Sequence, residues 1–203
     1  MKELEQQTHL SAEEITLLQD AGILPLKRRI CDKMESWLSD LGTALETLVD
    51  NKNEGIFTEV WASSPRITRG DNYHGQAYRV LDYPRFIQGE DLFLFRTVLL
   101  WGHPIGVHLI LAGKFKDICQ GTWGGNLPRL FEGSFLSVQE TPWIWESDAP
   151  GLVSMEDLTE EGCLQLLAER SFLKVSHFMP LEDYADLVPR VCGIWSSWQN
   201  TLR

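Results

Sequence analysis

The sequence predicts an α+β fold, an antiparallel sheet of about five strands in the middle of the chain, packed by N-terminal and C-terminal helices. Apolar residues recur at steps of three and four up to residue 50, then at steps of two, with β-branched and aromatic residues, between 56 and 146. Past Pro150 the helical step returns. Helices, strands and helices in separate blocks argue for α+β, because an α/β chain alternates them one by one. At 203 residues, 43% of them apolar, the chain predicts one soluble globular domain, 1–203, helical over 1–55, sheet over 56–146 and helical over 150–203. A domain of this size hides roughly 70% of its unfolded surface and needs no disulfide or metal to hold it.

Ser11-Ala12-Glu13-Glu14 is a capping box, with Ser11 positioned to accept the Glu14 amide and Glu14 to reach back, so a helix is expected at 12–21 with Gly22 as its stop. Pro25 suits a first helical position, and Ile30, Met34, Trp37, Leu38, Leu41, Leu45 and Leu48 then form one stripe that ends at Asn51-Lys52-Asn53-Glu54-Gly55. Strands are expected near 56–63, 76–83, 92–101, 106–115 and 135–145, with Pro142 confining the last to an edge or bulge. Gly70 to Gly75 and Gly121 to Asn126 read as turns. After Pro150, Leu164, Leu167, Ala168 and Phe172 make one helical stripe, Leu181, Tyr184 and Leu187 a second, and Val191, Ile194, Trp195 and Trp198 a third behind Pro189.

The strand near 92–101 has no polar side. Leu92, Leu94, Val98 and Leu100 alternate with Phe93, Phe95, Leu99 and Trp101, so both faces need cover. Helices can supply one; a second layer, the segment 116–134, or a second copy of the chain must supply the other, and a homodimer is one expectation. Within this strand Arg96 requires a carboxylate such as Asp82 or Glu59. A four-residue turn at 102–105 would pair Leu99 with His108, leaving His108 opposite the Arg96 face; a one-residue slip would bring the two together.

The chain carries 18 basic against 29 acidic side chains. That surplus of acid argues against a nucleic-acid partner, whose affinity comes from Lys and Arg displacing condensed counterions. By segment the net charge is −6 over 1–60, +3 over 61–130 and −8 over 131–203. The positive middle rests on Arg66, Arg69, Arg79, Arg85, Arg96 and Arg129, whose guanidinium forks match carboxylate and phosphate oxygens. The opening Met1-Lys2-Glu3-Leu4-Glu5 shows neither the basic nor the apolar region of a secretory signal, and the apolar run from Leu92 to Gly113 is broken at Gly102–Gly106, so a cytoplasmic protein with no membrane partner is expected. Cys31, Cys119, Cys163 and Cys192 form no C-x-x-C pair, and His and Cys do not cluster at zinc spacing, so reduced thiols with no metal and no cofactor are expected.

No nucleophile elbow, zinc-protease helix, dinucleotide fingerprint or phosphate loop occurs, and Gly121-Thr122-Trp123-Gly124-Gly125 lacks the lysine of the last. Three readings follow. The leading one is a non-catalytic cytoplasmic protein acting through a protein partner or by self-association, on the strength of the two-faced hairpin and eight tryptophans, Trp143 with Trp145 on one strand face and Trp195 with Trp198 on one helix face. A second is a module for a small phosphate or carboxylate, held by Arg66, Arg69, Arg79 and Arg85, with Tyr73, Arg96 and His108 as further ligand-binding candidates. The third is an enzyme in which His74 and Asp71, on the turn between the first strands, move protons.

Overall fold

The computed structural model describes residues 9–48, 57–123 and 126–202. Its order is α1 (Ala12–Gln19), α2 (Ile23–Leu48), α3 (Thr58–Trp61), β1 (Arg66–Tyr73), β2 (Gln76–Gln88), β3 (Asp91–Leu100), β4 (Ile105–Ala112), α4 (Lys114–Trp123), α5 (Leu127–Leu130), β5 (Phe135–Ser137), β6 (Leu152–Ser154), α6 (Glu160–Ala168), β7 (Phe172–Met179) and α7 (Leu187–Thr201). Short 3₁₀ turns lie at Met155–Asp157 and Leu181–Asp186. The fold is α+β, with one antiparallel sheet and helices at both ends, but the sheet has seven strands, not about five, in the order β1-β2-β3-β4-β7-β5-β6.

The first two helices form for the reasons their sequences give. Ser11 accepts the Glu14 amide at 3.2 Å while Glu14 accepts the Ser11 amide at 2.6 Å. α2 buries Cys31, Met34, Leu38, Leu41, Gly42 and Leu45, spaced by three and four, against the sheet. At Gly42 the helix comes so close to the chain before β1 that a Cβ would sit 3.1 Å from Pro65. The expected end of this helix at 51–55 lies outside the described residues.

Several strand boundaries move. The expected strand 56–63 is instead the helical turn α3, which puts Phe57, Val60 and Trp61 at positions i, i+3 and i+4 and seats Phe57 against Phe93 and Phe115; Ile56 lies outside the described residues. β1 occupies part of what reads as turn, because this edge strand is exposed over most of its length and carries no apolar alternation. Of the expected strand 135–145 only Phe135–Ser137 pairs; Pro142 lies in a loop. The expected glycine turn at 121–126 is the end of α4 as far as Trp123, with Gly124 and Gly125 outside the described residues.

The largest correction concerns the C-terminal block, which supplies strands as well as helices. Phe172 is not the end of a helical stripe but the start of β7, which pairs with β4 over its whole length from Ile105↔Met179 to Ala112↔Phe172. β7 reads poorly as a strand because Lys174, Ser176 and His177 interrupt its apolar pattern.

Every residue from Leu92 to Leu100 is buried, so β3 is covered on both faces. On one face Phe93, Phe95, Leu99, Val107, Leu109 and Val175 join α2, α4 and α7 in the main core. There Trp195 of α7 packs against Phe95 at 4.9 Å and Trp61 at 5.9 Å between ring centres. On the other face the cover is a strap of the chain, residues 138–151, rather than the segment 116–134. No helix among the described residues is long and apolar enough to cross a membrane.

Trp195→Ala removes the fully buried indole that joins α7 to the sheet, and a cost of about 3–5 kcal/mol is expected. Urea unfolding of the variant against the parent checks it.

Candidate functional site

Across four strands of the strap-covered face runs a row of polar side chains in register: Asp82 on β2 opposite Arg96 on β3, Arg96 opposite His108 on β4, and His108 opposite Ser176 on β7. The actual pairing of β3 with β4 sets Val98 against Gly106, an odd shift from the pairing expected from a turn at 102–105, and this brings Arg96 and His108 to one face. Arg96 donates Nε and Nη2 to the two oxygens of Asp82 at 2.6 and 2.9 Å, which is the carboxylate partner its burial demands. The rings of Trp143 and Trp145 lie over its guanidinium, 5.1 and 5.5 Å away.

His108 and Ser176 are fully buried, with His108 Nδ1 2.9 Å from the Ser176 hydroxyl. Burial, and then the positive charges of Lys174 and Arg96, push the His108 pKa well below the ordinary histidine range, so the ring is neutral at physiological pH. Its Nε2 has no hydrogen-bond partner and faces Gly106, where a Cβ would come within 2.7 Å. A serine–histidine contact of this kind has two parts of a proton-transfer group. It lacks an acceptor for the second ring nitrogen and any surface a substrate could reach.

Lys174, one pair further along β7, is 1% exposed and donates Nζ to the Ile144 carbonyl of the strap. Burial and the neighbouring Arg96 lower its pKa to about 7, against a weaker upward pull from Glu146. The strap is held at its far side by Tyr73, whose hydroxyl donates to Glu146 at 2.7 Å and accepts the Trp145 amide at 3.2 Å while its ring stacks on Trp145 at 4.4 Å. Burial and the bond to Glu146 raise the Tyr73 pKa to about 12. Burial disfavours the Glu146 carboxylate, but the Tyr73 hydroxyl, local backbone amides and His74 outweigh it and hold the group below its usual range.

The proposed proton handlers are not brought together. His74 and Gly75 form the tip of the β1–β2 hairpin, both at positive φ, 51° and 84°. The His74 side chain is 75% exposed and lies 3.0 Å from Glu146, whereas Asp71 is 67% exposed and pairs with Lys27 at 3.4 Å. Nor do the four arginines converge. Arg69 and Arg79, cross-strand partners, both reach Glu35 of α2, at 3.4 and 2.7 Å. Arg66 and Arg85 belong to the opposite face by strand alternation, Arg66 exposed and Arg85 half-buried with its Nε unpaired. Tyr73, Arg96 and His108 do share one face, as fasteners of the strap and the row beneath it. Among the described residues no group of three His, Cys, Asp or Glu gathers at metal-binding range.

Two apolar clefts on the helical side escaped the sequence reading. One, of about 640 Å³, lies between α1, the start of α2 and the β1–β2 tip, and is lined by Leu17, Leu18, Leu24, Ile30, Ala77 and Trp101 among others. The second, of about 480 Å³, shares Ile30 and Trp101 with it and continues to Trp37, His103, Glu182 and Tyr184. The available signal was the density of large apolar residues at Ile15, Leu17, Leu18, Ile23, Leu24 and Leu26, more than one buried helix face requires.

The buried amine gives a pH signature with a definite sign. Folded Lys174 loses its proton near pH 7, while in the unfolded chain it holds it to about 10.4, so between those values the unfolded state binds more protons and stability rises with pH. The slope from this group is at most about 1.4 kcal/mol per pH unit, and below pH 7 its contribution is flat. Lys174→Met is expected to remove the slope and to be no less stable than the parent at neutral pH, as judged by urea unfolding from neutral to alkaline pH. Compared with protein-family models, with curated proteins and with solved structures, the chain finds no match.

Proposed function

We propose that this chain is a non-catalytic, self-associating protein whose working surface is α1 with the start of α2, packed against the same segment of a second copy. The observation that carries the reading is the concentration of exposed apolar residues there. Of fifteen large hydrophobic side chains exposed among the described residues, seven lie between Leu10 and Leu26. Leu18 and Leu24 are 76% and 73% exposed, and α1 buries no residue at all. Contiguous exposed apolar surface of this kind is what an interface presents before it is covered. The two-faced hairpin of the sheet offers no such surface, because helices and strap already cover it.

Charge supports a second copy as the occupant. α1 and its cap carry Glu13, Glu14 and Asp20 and no base, whereas the first turns of α2 carry Lys27, Arg28, Arg29 and Lys33 against Asp32 alone. A two-fold contact sets the acidic helix of each copy against the basic segment of the other, and does so twice. The compartment this reading implies is the cytoplasm, in keeping with four free cysteines. Burial raises the Cys119 and Cys163 pKa values to about 12 and about 11, which keeps both thiols protonated.

Sedimentation velocity at micromolar concentration is expected to show a dimer whose dissociation constant rises with sodium chloride. Leu18→Glu with Leu24→Glu is expected to give a monomer with an unchanged far-ultraviolet spectrum. A parent protein that stays monomeric across that range sinks the reading.

A further inference from the structure

The smaller cleft has the dimensions and chemistry of a small-molecule site. We propose that it binds an organic cation with an apolar body, an aromatic or alkyl ammonium ion. Its floor is made by buried Met34 of α2, Leu99 of β3 and Ile105 of β4. Its lining holds three aromatic side chains: Trp37 and Tyr184, stacked with 4.9 Å between ring centres, and Trp101 of the β3–β4 turn. A volume of about 480 Å³ is within the usual range for drug-sized ligands, and a mostly apolar lining with few polar groups is the usual composition.

The charge of the ligand follows from what lines the mouth. Among the described residues Glu182 is the only carboxylate on the lining and no lysine or arginine joins it, so the lining carries one carboxylate and an imidazole, His103. The adjacent Asp183 is engaged elsewhere, bound to Arg190 at 2.6 Å. The faces of Trp and Tyr rings attract cations through their quadrupoles, which is how aromatic cages hold ammonium groups. The chain's net charge of −11 adds a long-range pull of the same sign. An anion would meet Glu182 with no lysine or arginine beside it, and a neutral molecule would gain only the apolar contact.

The test is calorimetric titration at low salt with three ligands that share one body: phenethylammonium, phenethyl alcohol and hydrocinnamate. An exposed ion pair and a cation over exposed rings each contribute up to roughly fivefold in affinity, so phenethylammonium is expected to bind about tenfold more tightly than the alcohol and hydrocinnamate least of all. Glu182→Gln is expected to remove about fivefold from the ammonium alone. Tyr184→Leu, which keeps an apolar wall but no ring, is expected to narrow the gap between ammonium and alcohol. Leu181→Trp, at a half-exposed position on the rim, fills the mouth and is expected to abolish binding of all three. Equal affinity for the three ligands, no binding by any, an unchanged ammonium preference in Glu182→Gln, or binding that survives Leu181→Trp overturns the proposal. Repeating the titration on the Leu18→Glu, Leu24→Glu chain separates this result from the dimer, since the cleft's own aromatic and acidic residues are intact there.

Discussion

A guanidinium 9% exposed in the middle of a sheet is tolerable because Asp82 meets it with both carboxylate oxygens. Losing either partner would leave a buried charge uncompensated, at a cost of about 3–5 kcal/mol. That pair dictates the covering of the whole face. A helix with an apolar stripe laid over Arg96, His108, Lys174 and Ser176 would strand their polar atoms. An irregular segment suits the task better, since its own backbone groups can turn inward. The Ile144 carbonyl accepts from Lys174, the Trp143 carbonyl and Trp145 amide engage Tyr73, and the two indoles lie over the guanidinium. Beyond the Val138–Gly151 backbone bond, which extends the β5–β6 pairing by one step, the strap is held by side chains reaching out from the sheet.

The same logic explains why the cationic middle of the chain presents so little free positive charge. Arg96 is met within the sheet, Arg69 and Arg79 by Glu35 from α2, and Lys114 by Glu59 and Asp91. Acidic helices and a basic sheet neutralise each other as they pack. At the N-terminal end acid on α1 and base on α2 sit on neighbouring exposed elements, with Lys27 paired to Asp71 of β1. Lys174 and His108, whose pKa values burial lowers, are sealed beneath the strap and shape stability against pH, away from the clefts on the helical side.

Periodicity revealed the elements whose burial is one-sided or complete. The stripe of α2, the double-faced run of β3 and the Trp195–Trp198 face of α7 all have a pattern set by a continuous apolar neighbour, and all three are where the sequence places them. β1, β6 and β7 were illegible for separate reasons: an edge strand has little to bury, a three-residue strand has no period, and β7 alternates Lys174 and Ser176 with Leu173 and Val175 because its two faces meet different chemistry. The need of Arg96 for Asp82 was legible, since a charge in an apolar strand has few solutions. The join of His108 to the same row was not, because it depends on an odd step of register made inside the turn at Trp101–Pro104. The clefts were least visible of all: the walls of the smaller come from α2, the β3–β4 turn and the 3₁₀ turn after β7, which are close only once the sheet has formed.

An eight-residue helix is too short to persist alone in water, where isolated helices below about 12–15 residues are marginal. The capping box of α1 satisfies two backbone groups and sets where the helix starts, but capping contributes only about 1 kcal/mol. Helices in folded proteins draw most of their stability from burying an apolar face, and α1 buries none on its own chain. Its leucines therefore have an unmet energetic role, unlike Leu38 or Leu41 a few turns further along, which the sheet covers fully. The same segment of a second copy set against the first would supply that missing layer in the way the sheet supplies it for α2. It would also bury acid against base and not like against like, so the contact that completes α1 is the one the charge pattern favours.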